Sequence, residues 1–212
     1  MMNNYLNKIE KDGYLVLDLS KDFNISSNKI KEFHDITNYY KQNHETLFTE
    51  VFFHTEKRKI SNFSEFKDIA EIEFEKYNTD RWFQLWRYTA LDNNQGHHFF
   101  MNSILKKIVK TIYNKTADEF LTDVTSFTEK CGIKPHKDAG NDDRVCGILM
   151  YCNDTWKKEW GGNLVVNDEH TILPIKNTVV VFDYTKNNIK HEVTKVEANK
   201  NRFCVTTFLD KI

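Results

Sequence analysis

From Phe120 onward the sequence becomes a series of short β-rich runs separated by polar turns, near 120–128, 145–152, 163–167, 171–175, 178–184, 190–196 and 202–209. Runs of that length are too short for ordinary helices and too numerous for a single hairpin. They are what the two facing sheets of a jelly roll require. The fold expected is therefore mainly β, of α+β type, with helices upstream of the β region packed on one sheet.

The upstream half supports that division. Gly13-Tyr14-Leu15-Val16-Leu17 reads as an opening strand. A helix is predicted from about Ser27 to Asn43, capped by Ser26 or Ser27, with Ile30, Phe33, Ile36 and Tyr40 forming one stripe. A second is predicted from Ser64 to Tyr77 with Phe66, Ile69 and Ala70 inward, and a third over 98–114, where Leu105, Ile108, Val109 and Ile112 recur at helical spacing. Between them, the run from Arg81 to Tyr88 alternates like a strand buried on both faces or covered by a loop. With 212 residues, 40% of them hydrophobic, seven glycines and two prolines, the chain is expected to form one domain around one core. Residues 1–119 then act as a mostly helical support and 120–212 as the β core.

The residues with chemistry lie in that β core. His136-Lys137-Asp138 places an imidazole and a carboxylate two positions apart, so on a strand both face the same way and Lys137 faces the other. His191 stands on a different predicted strand and completes a set of two imidazoles and one carboxylate, the facial donor set of non-haem Fe(II) oxygenases. Arg202 opens the last β run, where an inward guanidinium suits a carboxylate bound through paired hydrogen bonds. Alone, a His-x-Asp, a Gly-Gly or an arginine is an ordinary surface or turn feature. The joint order His-x-Asp, Tyr151, Gly161-Gly162, His191, Arg202 on successive apolar runs points to a site; Gly161-Gly162 itself is read as a hairpin turn.

In these motifs the segment from about 120 to 210 resembles the catalytic domain of the Fe(II)- and 2-oxoglutarate-dependent oxygenases, and within them the prolyl 4-hydroxylase-like branch. His136-Lys137-Asp138 matches the family's His-x-Asp, Arg144 through Tyr151-Cys152-Asn153 resembles its Arg and Tyr-Leu-Asn strand, and Trp160-Gly161-Gly162-Asn163-Leu164 resembles its Gly-Gly-x-Leu turn. Val179-Val180-Val181-Phe182, His191-Glu192-Val193 and Arg202 with Thr206 follow in the order of its closing strands. The resemblance implies a distorted double-stranded β-helix. It also implies Fe(II) on His136, Asp138 and His191, 2-oxoglutarate held by Arg202, Tyr151 and Thr206, O2 as oxidant and ascorbate as an optional reductant. Related halogenases replace the carboxylate with a small residue, so Asp138 favours hydroxylation; Phe208 departs from the family, many of whose members carry a tryptophan there.

The activity this implies is hydroxylation of an unactivated carbon with release of succinate and CO2. The substrate favoured by the resemblance is a prolyl residue of a protein or peptide; the alternative is a free amino acid or small metabolite. Arg144, in the loop 139–144 beside the His-x-Asp, and Trp82 are candidates for substrate contact. A nucleic acid demethylase of the same superfamily is disfavoured, because the chain lacks a second arginine in the final motif and its net charge is -1. A jelly-roll binding protein without turnover is the reading from another class. The four cysteines form no Cys-x-x-Cys and are expected as buried thiols, and the opening residues contain no apolar stretch of signal or membrane-span length, so the expected location is cytoplasmic without a membrane partner.

Overall fold

A computed structural model of the chain describes residues 2–53, 84–90, 94–117, 120–138, 145–185 and 189–210. It opens with helix α1 (Met2–Asp12), strand β1 (Tyr14–Asp18), helix α2 (Ser27–Gln42), the short helix α3 (His44–Leu47) and strands β2 (Thr49–Phe53) and β3 (Gln84–Ala90). Helix α4 (Gln95–Tyr113) follows. The chain then runs through β4 (Leu121–Phe127), β5 (Ile133–His136), β6 (Cys146–Tyr151), β7 (Leu164–Val166), β8 (His170–Ile172), β9 (Thr178–Asp183), β10 (His191–Val193) and β11 (Arg202–Leu209).

Local chemistry accounts for the helix ends. Ser26 sits in extended backbone and its side chain accepts from the Lys29 amide, capping α2, while Asn94 does the same for His97 at the start of α4. α4 stops at Asn114, whose left-handed φ of 53 is a conformation asparagine tolerates better than most residues. Phe33, Ile36 and Tyr40 of α2 are buried, as are Met101, Ile104, Leu105, Ile108, Val109 and Ile112 of α4. Each such side chain contributes roughly 1.5–3 kcal/mol when fully removed from water. Among the described residues no helix is long and apolar enough to cross a membrane.

Hydrogen bonding links the strands in the order β1-β9-β6-β11-β4-β3-β5-β10-β7-β8, with β2 added beside β3. The path bends into two walls, because among the described residues β3 meets β5 only through Gln84 opposite Ile133. One wall is the broad sheet from β1 to β3; the other is the small sheet β5-β10-β7-β8. Alternation then gives the broad sheet two different faces. Cys146, Ile148 and Met150 of β6, Val179 and Val181 of β9, and Phe203, Val205 and Leu209 of β11 join the helices in one core. Tyr151, Val180, Phe182 and Cys204 face the other way and meet Leu164, Val166 and Val193 of the small sheet.

Three features depart from the sequence reading. α1 was not anticipated; its apolar contact surface is confined to Tyr5, Leu6 and Ile9 in an asparagine-rich stretch. Strands upstream of residue 120 join the sheet, β1 pairing with β9 and β3 with β4. Gly161-Gly162 is not a hairpin turn: β6 pairs with β9 and β11, β7 with β8 and β10, and the glycines lie where the chain passes from one wall to the other. There the Gly162 amide donates to the carbonyls of Thr194 and Lys195, and a Cβ at Gly161 would collide with the Lys195 carbonyl. Both take positive φ, so the pair permits a close backbone crossing. The tight turn with successive positive φ values is instead Asn167-Asp168, between β7 and β8. The helix predicted over 64–77 lies outside the described residues.

Candidate metal and oxoacid site

His136 is the last residue of β5, and His191, the first of β10, stands directly opposite it in the antiparallel register. The two imidazoles therefore meet across the small sheet, with ring centroids 4.4 Å apart. Asp138 lies just past the end of β5 instead of on the strand, with Lys137 exposed between. Its Oδ1 is 3.3 Å from His136 Nε2 and its Oδ2 is 3.4 Å from His191 Nε2. One ligand atom from each of the three residues lies within 4.8 Å of the others.

The far nitrogens decide what those rings offer. Nδ1 of His136 lies 2.8 Å from the Lys134 carbonyl, and Nδ1 of His191 lies 3.2 Å from that of Ile189. A carbonyl only accepts, so each Nδ1 carries a hydrogen, and each ring turns its Nε2, the nitrogen whose lone pair a metal would take, toward Asp138. Two imidazole nitrogens and a carboxylate converging on one point make a good cation site. Burial raises the Asp138 carboxyl, but hydrogen bonding and charge from both imidazoles outweigh it and hold the group well below the usual carboxylate range. Asp138 is thus a carboxylate at neutral pH, and the three side chains keep 15%, 17% and 8% exposure, so the site stays within reach of solvent. The donor set fits Fe(II).

Arg202 and Tyr151 line the interior of the same walls. Arg202 is 2% exposed, and among the described residues no carboxylate lies within ion-pairing distance of it. Its Nη2 donates to Tyr151 Oη at 3.0 Å, its Cζ lies 5.0 Å from the Phe127 ring centre and 4.9 Å from that of Tyr151, and its Nε has no partner. A buried guanidinium left with ring faces and one phenol is an uncompensated charge, a strongly unfavourable arrangement unless an anion joins it. Burial also pushes the Tyr151 phenol above its ordinary value, only partly opposed by Arg202, so the hydroxyl stays protonated and can donate onward. This pair fits the distal carboxylate of an oxoacid. Gly162 makes room for it: a Cβ there would lie 3.1 Å from Arg202 Cδ and 3.2 Å from Trp156 Cζ2.

Thr206 shares the inward face of β11, where its hydroxyl pairs with that of Thr125 at 3.1 Å. Arg144 and Trp82 lie outside the described residues, as does the loop 139–144. Two neighbours escaped the sequence reading. Phe182 stacks on His191 with centroids 4.7 Å apart, and the Tyr184 hydroxyl donates to Asp138 Oδ2 at 2.7 Å. Alternation along β9 would have put both on one face with Val180, but their partners come from other strands.

Fold and site together define a jelly-roll protein with the ligand set of a mononuclear non-haem iron centre and a buried cation on the same interior side. Residues 122–210 match the family model of the 2OG-Fe(II) oxygenase superfamily. Fe(II), 2-oxoglutarate and O2 are the metal, cosubstrate and oxidant of this superfamily. A comparison of the sequence with curated proteins gives no match.

Among solved structures the chain is similar to a prolyl hydroxylase from Trichoplax adhaerens in complex with a hypoxia inducible factor peptide, with TM-score 0.62 and 15% identity over 98% of this chain and 87% of that one. It is also similar to a 2OG-Fe(II) oxygenase family oxidoreductase from Burkholderia pseudomallei, with TM-score 0.60 and 13% identity over 98% and 90%. A prolyl-4-hydroxylase from Pseudomonas putida gives TM-score 0.54 and 13% identity over 98% and 97%. At these identities the likeness shows the fold, the double-stranded β-helix.

Proposed function

We propose that the protein is an Fe(II)- and 2-oxoglutarate-dependent dioxygenase that hydroxylates a prolyl residue of a protein or peptide. The observation that carries the oxygenase reading is the pairing of two features in one interior: imidazole nitrogens and a carboxylate converged as for a cation, and a buried guanidinium with no carboxylate near it among the described residues. Ferrous iron and 2-oxoglutarate complete both. The prolyl substrate is supported by the fold shared with prolyl hydroxylases, one of them carrying a peptide.

His136, Asp138 and His191 would hold the metal through Nε2, one carboxylate oxygen and Nε2. Arg202 and Tyr151 would receive the far carboxylate of 2-oxoglutarate through charge-assisted hydrogen bonds. When bound, the iron supplies the redox chemistry that couples decarboxylation of 2-oxoglutarate to oxygen transfer onto the substrate carbon. Val180, Phe182, Val193 and Cys204 keep the interior apolar, which strengthens the electrostatic grip of Arg202 and excludes water from a reactive centre.

The test is a panel of proline-containing peptides and free amino acids incubated with protein, Fe(II) and 2-oxoglutarate and read by mass spectrometry. The reading predicts gain of one oxygen atom on a peptidyl proline. Oxidation confined to free amino acids would replace the peptide substrate with a small-molecule one, and no oxidation without 2-oxoglutarate is expected in any sample.

A further inference from the structure

We propose that Tyr184 is a positioning residue that fixes how Asp138 meets the metal, and that Gly147 exists to let it do so. The inference rests on the metal site described above and concerns a side chain outside that ligand set. Tyr184 follows β9 on its inward face, is 9% exposed, and packs with its ring parallel to Phe182, at 7° and 6.2 Å. Phe182 in turn stacks on His191. The phenol is thereby held at the end of a three-ring stack, and its hydroxyl donates to Asp138 Oδ2 at 2.7 Å.

That donor distinguishes two otherwise equivalent oxygens. Both oxygens face an imidazole, but only Oδ2 also accepts from the phenol, so Oδ1 would be the oxygen freer to bind a metal and the carboxylate would be biased toward binding through one atom. A carboxylate free to rotate can chelate through both, and each extra protein oxygen removes a position that a cosubstrate and oxidant need. Asp138 most needs such an anchor because it lies beyond the end of β5, where no ladder hydrogen bonds hold it.

Gly147 supplies the space. It lies on β6 opposite Phe182 of β9, and a Cβ there would overlap the Tyr184 hydroxyl, with ring carbons Cζ at 3.0 Å and Cε2 at 3.1 Å. Gly147 does not take a positive φ, so turn geometry does not explain it. The missing side chain coincides with the path of the phenol from its own strand to Asp138.

The test is titration of the metal-free protein with Co(II), a spectroscopic substitute for Fe(II), in wild type, Tyr184→Phe and Gly147→Ala, with thermal unfolding of each metal-free variant. Tyr184→Phe keeps the ring stack, so its metal-free unfolding temperature should match wild type while Co(II) affinity falls about 10–100-fold, the usual effect of losing a hydrogen bond to a metal ligand. Its visible Co(II) bands should also change in intensity and position, which a purely structural role would not produce. Gly147→Ala should move the spectrum in the same direction, and should add less on the Tyr184→Phe background than alone. Wild-type affinity and an unchanged spectrum in Tyr184→Phe would overturn the proposal while leaving the metal site standing. Failure of the wild-type protein to bind Co(II) would overturn both.

Discussion

The two faces of the broad sheet are made from alternate residues of the same strands, yet they obey different rules. On the helix side, Ile148, Met150, Val179, Val181, Phe203 and Val205 close against α1, α2 and α4 in a core of apolar side chains. On the interior side the same strands present Tyr151, Arg202 and, just past β9, Tyr184, with His191 facing them from the small sheet. One face removes apolar surface from water and is finished. The other keeps a buried guanidinium with no carboxylate partner among the described residues, and a carboxylate converging with two imidazoles, an arrangement that favours bound ions over close apolar packing. Stability and chemistry are thus separated by a strand period of two.

Substitutions can break or sharpen that separation. The largest effect is expected from His136→Ala or Asp138→Ala, which should abolish metal binding by titration and all 2-oxoglutarate turnover while leaving the metal-free unfolding temperature near wild type. Leu105→Ala, fully buried in α4, should do the reverse: a loss of about 2–5 kcal/mol in denaturant unfolding, with metal affinity unchanged in the folded fraction. Loss of stability in the first pair, or of metal affinity in the second, would erase the distinction between the faces.

Arg202→Met comes next. It replaces a buried charge lacking a carboxylate by an apolar chain of similar length, so metal-free stability should be retained or should rise, whereas calorimetric affinity for 2-oxoglutarate should drop at least tenfold. A marked fall in stability would mean that the guanidinium is structurally satisfied and is not awaiting a ligand. The smallest effect belongs to the helix side. Ser26→Ala removes the cap on the Lys29 amide and should lower unfolding free energy by about 0.5–1 kcal/mol without touching metal or cosubstrate binding.

Much of this division is legible in the sequence. The stripes of α2 and α4 and the strands around 120–128, 145–152, 178–184 and 202–209 follow from periodicity, because burial on a long regular element repeats many times. That His136, Asp138 and His191 approach one another is readable for a different reason: few residue types serve as metal donors, and their order along β runs limits the folds that unite them.

What stayed hidden depends on distant backbone. β5 is four residues with Lys134 and Pro135 inside it, too short and too polar for an alternation signal. Gly161-Gly162 looks like a turn because its neighbour, the chain at 194–197, is far away in sequence. The Tyr184–Asp138 bond and the space at Gly147 exist only once β9 is in register with β6, so no local pattern announces them.

The most direct measurement is succinate formation from 2-oxoglutarate by the purified protein supplied with Fe(II) in air, compared with His136→Ala and Arg202→Met. The account predicts turnover by the wild type that disappears when the metal is chelated, none by His136→Ala, and turnover by Arg202→Met only at raised 2-oxoglutarate. Equal succinate in all three proteins, or none from the wild type, would contradict it.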